Sequence, residues 1–301
     1  MKSCHQSDNR TVSIGRFLIA GHTICITGEG LAALPGFGFF MSEKTHVKPL
    51  LTIRQEKIIR DWTAVPFFIS EFDNACYDMS VSDNVYLIRM KQPDGRRLWA
   101  EIHREKTGFH AVIRWSDIFD DYALQFVCWL LFGVAALSKQ TVSIHSSTVI
   151  HHGKSVFFLG ESGTGKSTHT RMWLNRFPDT TLLNDDSPFV RVETDGSISA
   201  YGSPWSGKTP CFKNMNSPVS AFVRLSQAPY NRIRRLKGIE AIGALLPSCP
   251  FAFTYDKQLS ESIYSILSLM LRQLPVYQME CLPNVEAAEM VYNALKKDNY
   301  L

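Results

Sequence analysis

The sequence of 301 residues predicts an α/β protein in two parts, a smaller mostly-β domain over 1–117 and a larger domain over 118–301. Three observations predict this fold. Strand-like runs separated by turn signals dominate the first part. From residue 141 onward, a short apolar strand enters a glycine-rich loop that continues into a helix. Residues 239–296 then carry three stretches with the apolar period of helices.

Composition excludes several classes of protein. Hydrophobic residues make up 45% and charged residues 20%, which is typical of a globular chain and too apolar for a disordered one. The net charge of +4 is too small to indicate nucleic-acid binding by itself. The longest apolar run, 126–137, is shorter than the ~20 residues of a membrane-spanning helix, so we expect a core helix. Seven dispersed cysteines without a CxxC pair, and no signal peptide, favour a cytoplasmic protein.

In the first part, RFLIAGHTICITG alternates like one strand, and two further runs flank the turn signal Pro93-Asp94-Gly95. The run 108–115 is another predicted strand, whereas VKPLLTIRQEKIIRDW is ambiguous between helix and strand. A helix follows to about Leu137, with Ser116 or Asp117 as its cap and with Asp120 and Asp121 in its first turn.

From residue 141 the predicted order is strand, strand, glycine-rich loop, helix, strand and hairpin. The strand 156–159 enters the loop and the helix 168–176 leaves it, and the strand 181–183 comes next. Asp195-Gly196 is a strong signal for the hairpin turn. The three C-terminal helices are predicted at 239–246, 260–274 and 285–296.

The loop GESGTGKS at 160–167 matches the phosphate-binding pattern GxxxxGK[ST] in full. Its glycines let backbone N–H groups turn inward toward phosphate oxygens, and the following helix adds positive potential at the same place. Lys166 can then reach the β and γ phosphates and Ser167 can ligate Mg²⁺. A ligand-free turn is the alternative, which the strand–loop–helix context disfavours. The predicted nucleotide-binding residues are Gly160, Glu161, Ser162, Gly163, Thr164, Gly165, Lys166, Ser167 and Thr168.

Asn184-Asp185-Asp186 follows the next predicted strand. In isolation, two adjacent aspartates are typical of a solvated turn. Beside a triphosphate, one carboxylate can hold the metal and the other can accept a proton from an attacking hydroxyl. The position after the loop helix favours this functional interpretation.

On these motifs the sequence resembles the HPr kinase/phosphorylase family, and more distantly the catalytic core of phosphoenolpyruvate carboxykinases. In that family a histidine-bearing strand, a hairpin, a G-x-S-G-x-G-K-S loop and a strand ending in Asp-Asp follow in this order. The matching positions are His145, 160–167, Asp185 and Asp186. The resemblance implies an HPr kinase/PEPCK-like P-loop core with C-terminal helices.

The resemblance also implies roles for these residues. Lys166 would contact phosphate, Ser167 and Asp186 would hold Mg²⁺, and Asp185 would be the base on the serine hydroxyl, although the two aspartates could exchange roles. His145 would lie near the phosphates, the alternative being an ordinary core histidine.

The resemblance covers about 141–210 with a weaker similarity in the helical C-terminus, and the sequence departs from it in places. Thr168 stands where the bifunctional enzymes tend to have Glu, and their downstream glycine-rich signature is absent. The segment YGSPWSGK at 201–208 instead looks like that of HPr-kinase-like serine kinases of peptide-modifying gene clusters. Kinase chemistry is therefore implied more strongly than phosphorylase activity or HPr as the substrate.

Two basic features remain. Lys208, or an arginine later in the sequence, is a candidate for balancing charge on the transferred phosphoryl group together with Lys166, and Ser206, Gly207 and Lys208 could form a second anion-binding turn. The alternative is a packed aromatic loop with a surface lysine. A basic patch of five residues is either a solvated face or a dock for an acidic peptide or nucleotide phosphates: Arg224, Arg232, Arg234, Arg235 and Lys237.

The sequence thus predicts an ATP- and Mg²⁺-dependent kinase of a serine-type hydroxyl on a protein or peptide, with no nucleic-acid or membrane partner. The predicted catalytic residues are Asp185, Lys166, His145 and Lys208, and the first domain recognises the substrate or a partner. The alternatives are a small-molecule kinase acting on free serine, a sugar or a metabolite, a non-catalytic nucleotide-sensing regulator and, third, a hydrolytic ATPase. The phosphoacceptor, the reverse reaction and the oligomeric state, including a homo-oligomer, are left open.

Overall fold

The computed structural model describes residues 12–56, 63–72, 75–115, 120–207 and 209–301. The fold is mixed α/β with two sheets. The chain divides into two compact units, one formed by the described residues within 12–18 and Thr23–Cys128 and the other by those within Ile19–His22 and Trp129–Leu301. The sequence placed a domain boundary at 117/118, whereas the two units divide within the helix that follows it.

The first sheet has eight strands among the described residues, in the order β1-β2-β3-β8-β7-β6-β5-β4. This confirms that the N-terminal part is mostly β. Strands β2, β3 and β8 run parallel, and the pairs from β8 to β4 are antiparallel. The strands are β1 (Val12–Ile19), β2 (His22–Glu29), β3 (Leu51–Gln55), β4 (Pro66–Phe72), β5 (Ala75–Ser82), β6 (Val85–Lys91), β7 (Arg97–Glu105) and β8 (Gly108–Trp115).

Two segments of this sheet differ from the sequence prediction. RFLIAGHTICITG forms a hairpin rather than one strand, because Ala20 and Gly21 take positive φ values of 49° and 74° and reverse the chain. The ambiguous segment contains β3, in which Leu51 and Ile53 are fully buried on one side of the strand. Residues 57–62 of that segment lie outside the described part of the chain.

Helix α1 (Asp121–Leu137) contains the long apolar run, and it is buried throughout from 130 to 137. This confirms a core helix. The Asp120 carboxylate accepts a hydrogen bond from the Ala123 amide at 2.8 Å, so Asp120 is the cap and not a first-turn residue. The predicted caps Ser116 and Asp117 lie outside the described residues. No helix in the described part of the chain is long and apolar enough to cross a bilayer.

The second sheet has nine strands in the described residues, with the main order β12-β10-β11-β15-β14-β13-β9. Strand β17 pairs in parallel with β15, and β16 pairs with β17. The strands are β9 (Thr141–Ser143), β10 (Ser146–His151), β11 (Lys154–Leu159), β12 (Thr180–Asp186), β13 (Phe189–Val192), β14 (Ile198–Tyr201), β15 (Asn216–Gln227), β16 (Arg232–Leu236) and β17 (Val276–Cys281).

Three strands precede the glycine-rich loop where the sequence predicted two. Strand β9 pairs with β13, whereas β10 pairs with β11 and β12, so the chain changes partners between them. His145 lies in this connection and not on a strand, which corrects the expectation carried by the family resemblance. Its amide donates to the Ser248 carbonyl at 2.7 Å.

The predicted helices around this sheet are confirmed. They are α2 (Lys166–Arg176), α3 (Ile239–Leu245), α4 (Lys257–Leu271) and α5 (Val285–Lys297). Asp256 caps α4 and Asn284 caps α5, each by accepting a hydrogen bond from a backbone amide of the first turn. Helices α2 and α5 cover β11, β15 and β17 through one apolar cluster that includes Phe158, Trp173 and Val291. This packing fixes the ends of β11 and β12, which carry the residues described next.

Candidate active site

The 160–167 loop leaves β11 after Leu159 and enters α2 at Lys166. Gly163 and Gly165 have φ values of 82° and 97°, which side chains with a Cβ rarely adopt, and a Cβ at either position would point into open space. Gly160 is crowded instead, since its Cβ would lie 2.6 Å from Thr164 Oγ1. The loop therefore packs closely against its surroundings at Gly160, whereas the space beside Gly163 and Gly165 is open.

Lys166 curls back over this loop. Its Nζ donates to the carbonyl oxygens of Gly160 at 2.8 Å and Glu161 at 3.1 Å. Burial lowers the pKa of Lys166, while the charges of Asp186 and Asp185 act in the opposite direction. An anion in the loop would therefore meet a partly desolvated ammonium group that already faces the loop.

Ser167 and Asp185 form the first polar pair of the site. The Ser167 hydroxyl lies 3.1 Å from both carboxylate oxygens of Asp185. Asp185 takes this place because β12 pairs with β10 up to Asp186, with Asp185 opposite Ser147. The hydroxyl of the loop and a carboxylate of the strand end thus lie together, as the sequence predicted for a metal site, although it preferred Asp186 for that role.

Asp186 and His145 form the second pair. His145 Nδ1 lies 3.4 Å from one carboxylate oxygen of Asp186, and the Ser187 hydroxyl donates to the other at 2.7 Å. Burial alone would raise the pKa of Asp186, but the hydrogen bonds from His145 and Ser187 and the charge of Lys166 outweigh it and hold that pKa below its ordinary value. Asp186 therefore stays ionised near neutral pH. We call Lys166, Ser167, Asp185 and Asp186 the reactive edge.

Asn184 lies beneath the reactive edge and is fully buried. Its side-chain carbonyl accepts from the Ser187 amide at 2.9 Å. Its side-chain nitrogen lies 3.1–3.4 Å from four oxygens, the backbone carbonyls of Ser203, Trp205 and Cys211 and the Ser203 hydroxyl. One amide therefore joins the end of β12 to the segment 202–211, which we call the supporting loop.

The supporting loop is held at both ends. Trp205 is 5% exposed and stacks on Phe132 at 5.7 Å between ring centroids. The Gly207 amide donates to the Asp185 carbonyl at 2.8 Å, and a Cβ at Gly207 would lie 2.9 Å from that oxygen. A Cβ at Gly202 would lie 1.9 Å from the Lys213 carbonyl oxygen. Both glycines are therefore required by close backbone approaches.

These contacts correct one sequence hypothesis. Ser206, Gly207 and Lys208 were expected to offer a second anion-binding turn. The Gly207 amide already donates a hydrogen bond to the Asp185 carbonyl. The Ser206 hydroxyl donates to the Thr209 carbonyl and accepts from the Cys211 amide. Lys208 lies outside the described residues, so its predicted role stays a prediction. The segment braces the strand end instead.

The arginines of the basic patch are ion-paired within the chain, and Arg232, Arg234 and Arg235 are exposed, as the hypothesis of a solvated face predicts. Each of the four has a carboxylate partner, the pairs being Arg224–Glu161, Arg232–Glu280, Arg234–Glu240 and Arg235–Asp298. The neighbouring carboxylates therefore offset much of the positive charge of these four arginines.

The donor set suits Mg²⁺ and a triphosphate. Ser167 and Asp185 offer hard oxygen ligands next to the loop, as this cation prefers. Among the residues that the structure describes, no group of three or more His, Cys, Asp or Glu could hold a metal by itself. The space beside Gly163 and Gly165 is open, which leaves room for phosphates next to the loop.

Sequence reasoning missed the two groups that support this site. It quoted Asn184 only as the start of the Asn-Asp-Asp run, although an amide between an apolar strand and two carboxylates could have indicated a buried hub. It counted Arg224 in a basic patch for which docking of nucleotide phosphates was one hypothesis, but it did not place this residue beside the loop, where its guanidinium donates to the Glu161 carboxylate at 2.6 Å. No sequence signal joins residues 161 and 224.

No protein-family model matches the chain, and none of the curated proteins matches it. Among solved structures, the chain is similar to one described as the HPr(Ser) kinase/phosphatase from Coxiella burnetii. The similarity has a TM-score of 0.32 and 11% sequence identity, and it covers 52% of this chain and 98% of that one. With so weak a likeness, function has to be argued from the residues of the site.

Proposed function

We propose that this protein is an ATP- and Mg²⁺-dependent kinase that transfers the γ-phosphoryl group to a serine-type hydroxyl of a protein or peptide. One observation carries the proposal. A loop of the GxxxxGKS pattern and two polar side-chain pairs, Ser167–Asp185 and His145–Asp186, lie at the same end of one sheet. Phosphoryl transfer needs these parts, namely a phosphate cradle, a metal-binding oxygen set and a carboxylate near the acceptor.

The residues of the loop would hold the triphosphate, with Lys166 against its β and γ phosphates. Ser167 and Asp185 would hold Mg²⁺, which when bound offsets charge on the phosphates. The acceptor hydroxyl oxygen forms a bond to the γ phosphorus while the bond from that phosphorus to the β–γ bridging oxygen breaks, releasing ADP. The hydroxyl proton passes to a carboxylate of the strand end.

The hydrogen bonds favour Asp186 as the proton acceptor and Asp185 as the metal ligand, which exchanges the roles that the family resemblance prefers. Asp185 is bonded to the hydroxyl of Ser167, the residue of the GKS motif that ligates Mg²⁺. Asp186 faces His145 instead. A low pKa keeps Asp186 ionised, so it can orient the acceptor hydroxyl and take its proton late in a loose transition state.

The test is transfer itself. The protein is incubated with Mg²⁺, ATP labelled on the γ-phosphate and serine-containing peptides, and mass spectrometry locates the added phosphate. We expect phosphoserine from the wild type, and about 10²- to 10³-fold less from Lys166→Met because a charge-stabilising group is lost. Lys257→Met, at an exposed residue that begins α4, is the matched control.

The other outcomes separate the alternatives. Phosphate found on free serine or a sugar, and on no peptide, would support the small-molecule kinase. Phosphate released to water in every condition would indicate an ATPase. Tight ATP binding without transfer or hydrolysis would reject both enzymes and leave a nucleotide-sensing regulator.

A further inference from the structure

Arg224 lies beside the glycine-rich loop, far from it in sequence. Strands β11 and β15 are parallel neighbours, and their register places Arg224 opposite Leu159, the last residue before the loop. Because parallel strands end at the same edge of a sheet, the Arg224 side chain emerges where the loop begins. Two further contacts join β15 to the loop, since Gln227 Nε2 donates to the Gly163 carbonyl at 3.1 Å and Leu225 O limits the space at Gly160.

The two sides of the Arg224 guanidinium are bound differently. Nη1 donates to the backbone carbonyl of Ala244 at 3.2 Å, which is a fixed partner. Nη2 donates to the Glu161 carboxylate at 2.6 Å. The Arg224 side chain is 19% exposed, whereas that of Glu161 is 73% exposed. Water can therefore solvate the carboxylate if it leaves, but the largely buried guanidinium needs an anion in its place.

Arg224 also belongs to the electrostatic environment of Lys166. Burial is the main cause of the lowered pKa of Lys166, and the charge of Arg224 lowers it further. Asp186, Asp185 and Glu161 act in the opposite direction. Two cations, Lys166 and Arg224, therefore lie at the same end of the sheet. Glu161, the only acidic residue of the 160–167 loop, is hydrogen-bonded to Arg224.

We propose that Arg224 is a second phosphate-binding cation of this site and that Glu161 occupies its guanidinium until a nucleotide triphosphate replaces the carboxylate. The inference rests on the proposed function, because it requires that the loop binds ATP. The planar guanidinium is held at Nη1 by the Ala244 carbonyl and presents Nη2 to the loop, where a phosphate oxygen would take the place of the Glu161 carboxylate. The alternative is that the Arg224–Glu161 pair only braces the loop.

Binding measurements on four proteins separate these two roles. The titrated ligand is ATP with Mg²⁺, followed by calorimetry, and the proteins are wild type, Arg224→Gln, Glu161→Gln and the double variant. We expect Arg224→Gln to weaken ATP binding about ten- to hundredfold, as for the loss of one charged hydrogen bond. Glu161→Gln should bind ATP as tightly as wild type or more tightly, because the competing carboxylate is gone. The double variant should then resemble Arg224→Gln.

A bracing pair predicts a different pattern. Both single variants would weaken ATP binding equally and the double variant would be no worse, and that result would overturn the proposal. Arg176→Gln, which breaks the exposed Arg176–Glu289 pair of the same 2.6 Å length, is the matched control for loss of an ion pair. Arg224→Lys keeps a charge and should lose less affinity than Arg224→Gln, which keeps the test valid if the glutamine variant does not fold.

The two proposals fail in distinguishable ways. If the wild type does not bind ATP, the proposed function fails and this inference fails with it. If the wild type binds ATP, and Arg224→Gln is folded by circular dichroism and binds ATP equally well, only the role of Arg224 is rejected.

Discussion

Asn184 and Asp186 are two residues apart on β12, yet the side chain of Asn184 is fully buried and that of Asp186 is partly exposed. The reactive edge, to which Asp186 belongs, is partly solvated and its pairs are held by one or two hydrogen bonds each. The layer beneath it, formed by Asn184 with the supporting loop, is buried and densely hydrogen-bonded. A strand end can therefore keep charged side chains accessible to solvent while a buried neutral amide next to them fixes its backbone through hydrogen bonds.

The largest expected effect separates the two carboxylates of the reactive edge. Asp186→Asn should lower kcat for peptide phosphorylation about 10²- to 10⁴-fold at saturating Mg²⁺, because the proton acceptor is lost. Asp185→Asn should instead raise the Mg²⁺ concentration needed for half-maximal rate. Steady-state kinetics over a Mg²⁺ series measures both. The reversed pattern would restore the assignment that the sequence resemblance prefers.

In the buried layer the expected effect is on stability. Asn184→Leu removes the donor for the supporting-loop carbonyls and leaves them buried without it, so the free energy of unfolding should fall by about 2–4 kcal/mol. Urea denaturation measures it, and Asn175→Leu on the exposed face of α2 is the control. A variant that keeps wild-type stability but loses activity would place Asn184 in the reactive edge rather than beneath it.

Buried histidines make the stability of the protein depend on pH, which gives a further test of its buried regions. His169 of α2 is buried against Phe158, and this burial lowers its pKa to about 4. An unfolded histidine takes up its proton near pH 6.5, so between about pH 6.5 and 4 the unfolded state binds more protons and stability falls as pH falls. The loss from His169 is about 3 kcal/mol at most over this window.

His169→Phe should therefore reduce the acid sensitivity of unfolding and change stability little above pH 7. Urea midpoints at pH 7.5 and pH 5 test this, with His152→Gln at an exposed position as the control. Some acid sensitivity should remain, since burial also lowers the pKa of His22 to about 3. An unchanged difference between the two pH values would contradict the buried neutral state of His169.

The smallest expected effect concerns the contact between the supporting loop and the reactive edge. In Gly207→Ala, the new Cβ meets the Asp185 carbonyl oxygen and must displace the strand end by a few tenths of an ångström. We expect kcat to fall about tenfold with the fold intact, because catalysis depends on position. Gly243→Ala, at an exposed position of α3 where a Cβ meets nothing within 4 Å, is the control. Equal activity of both variants would show that the supporting loop does not position Asp185.

Local patterns were sufficient for most of the fold. The strand entering the loop, the helix leaving it, the Asp195-Gly196 hairpin and the C-terminal helices follow from apolar periodicity and turn residues, which act over a few positions. The failures have local causes too. Ala20-Gly21 did not stand out as a turn because alanine seldom takes positive φ, and the connection at His145 was hidden because strand-like residues continue through it.

Pairing across the chain could not be predicted in this way. The contacts of Asn184 with the supporting loop and of Arg224 with Glu161 depend on which strands become neighbours, and β11–β15 pairing joins segments about 65 positions apart. Nothing in the local sequence of either partner carries that information, since strand order results from how apolar faces of the whole unit pack.

The sequence by itself determined the chemistry that is available: a glycine-rich loop with Lys166 and Ser167, and two aspartates at the end of the following strand. It could do so because loop conformation and residue type are local properties. Tertiary structure alone decided the pairings. It joined Ser167 to Asp185 by hydrogen bonds and brought His145 next to Asp186. It also brought Arg224, which is far from the loop in sequence, to Glu161. Those choices depend on strand register and on burial, which exist only once the sheet is assembled.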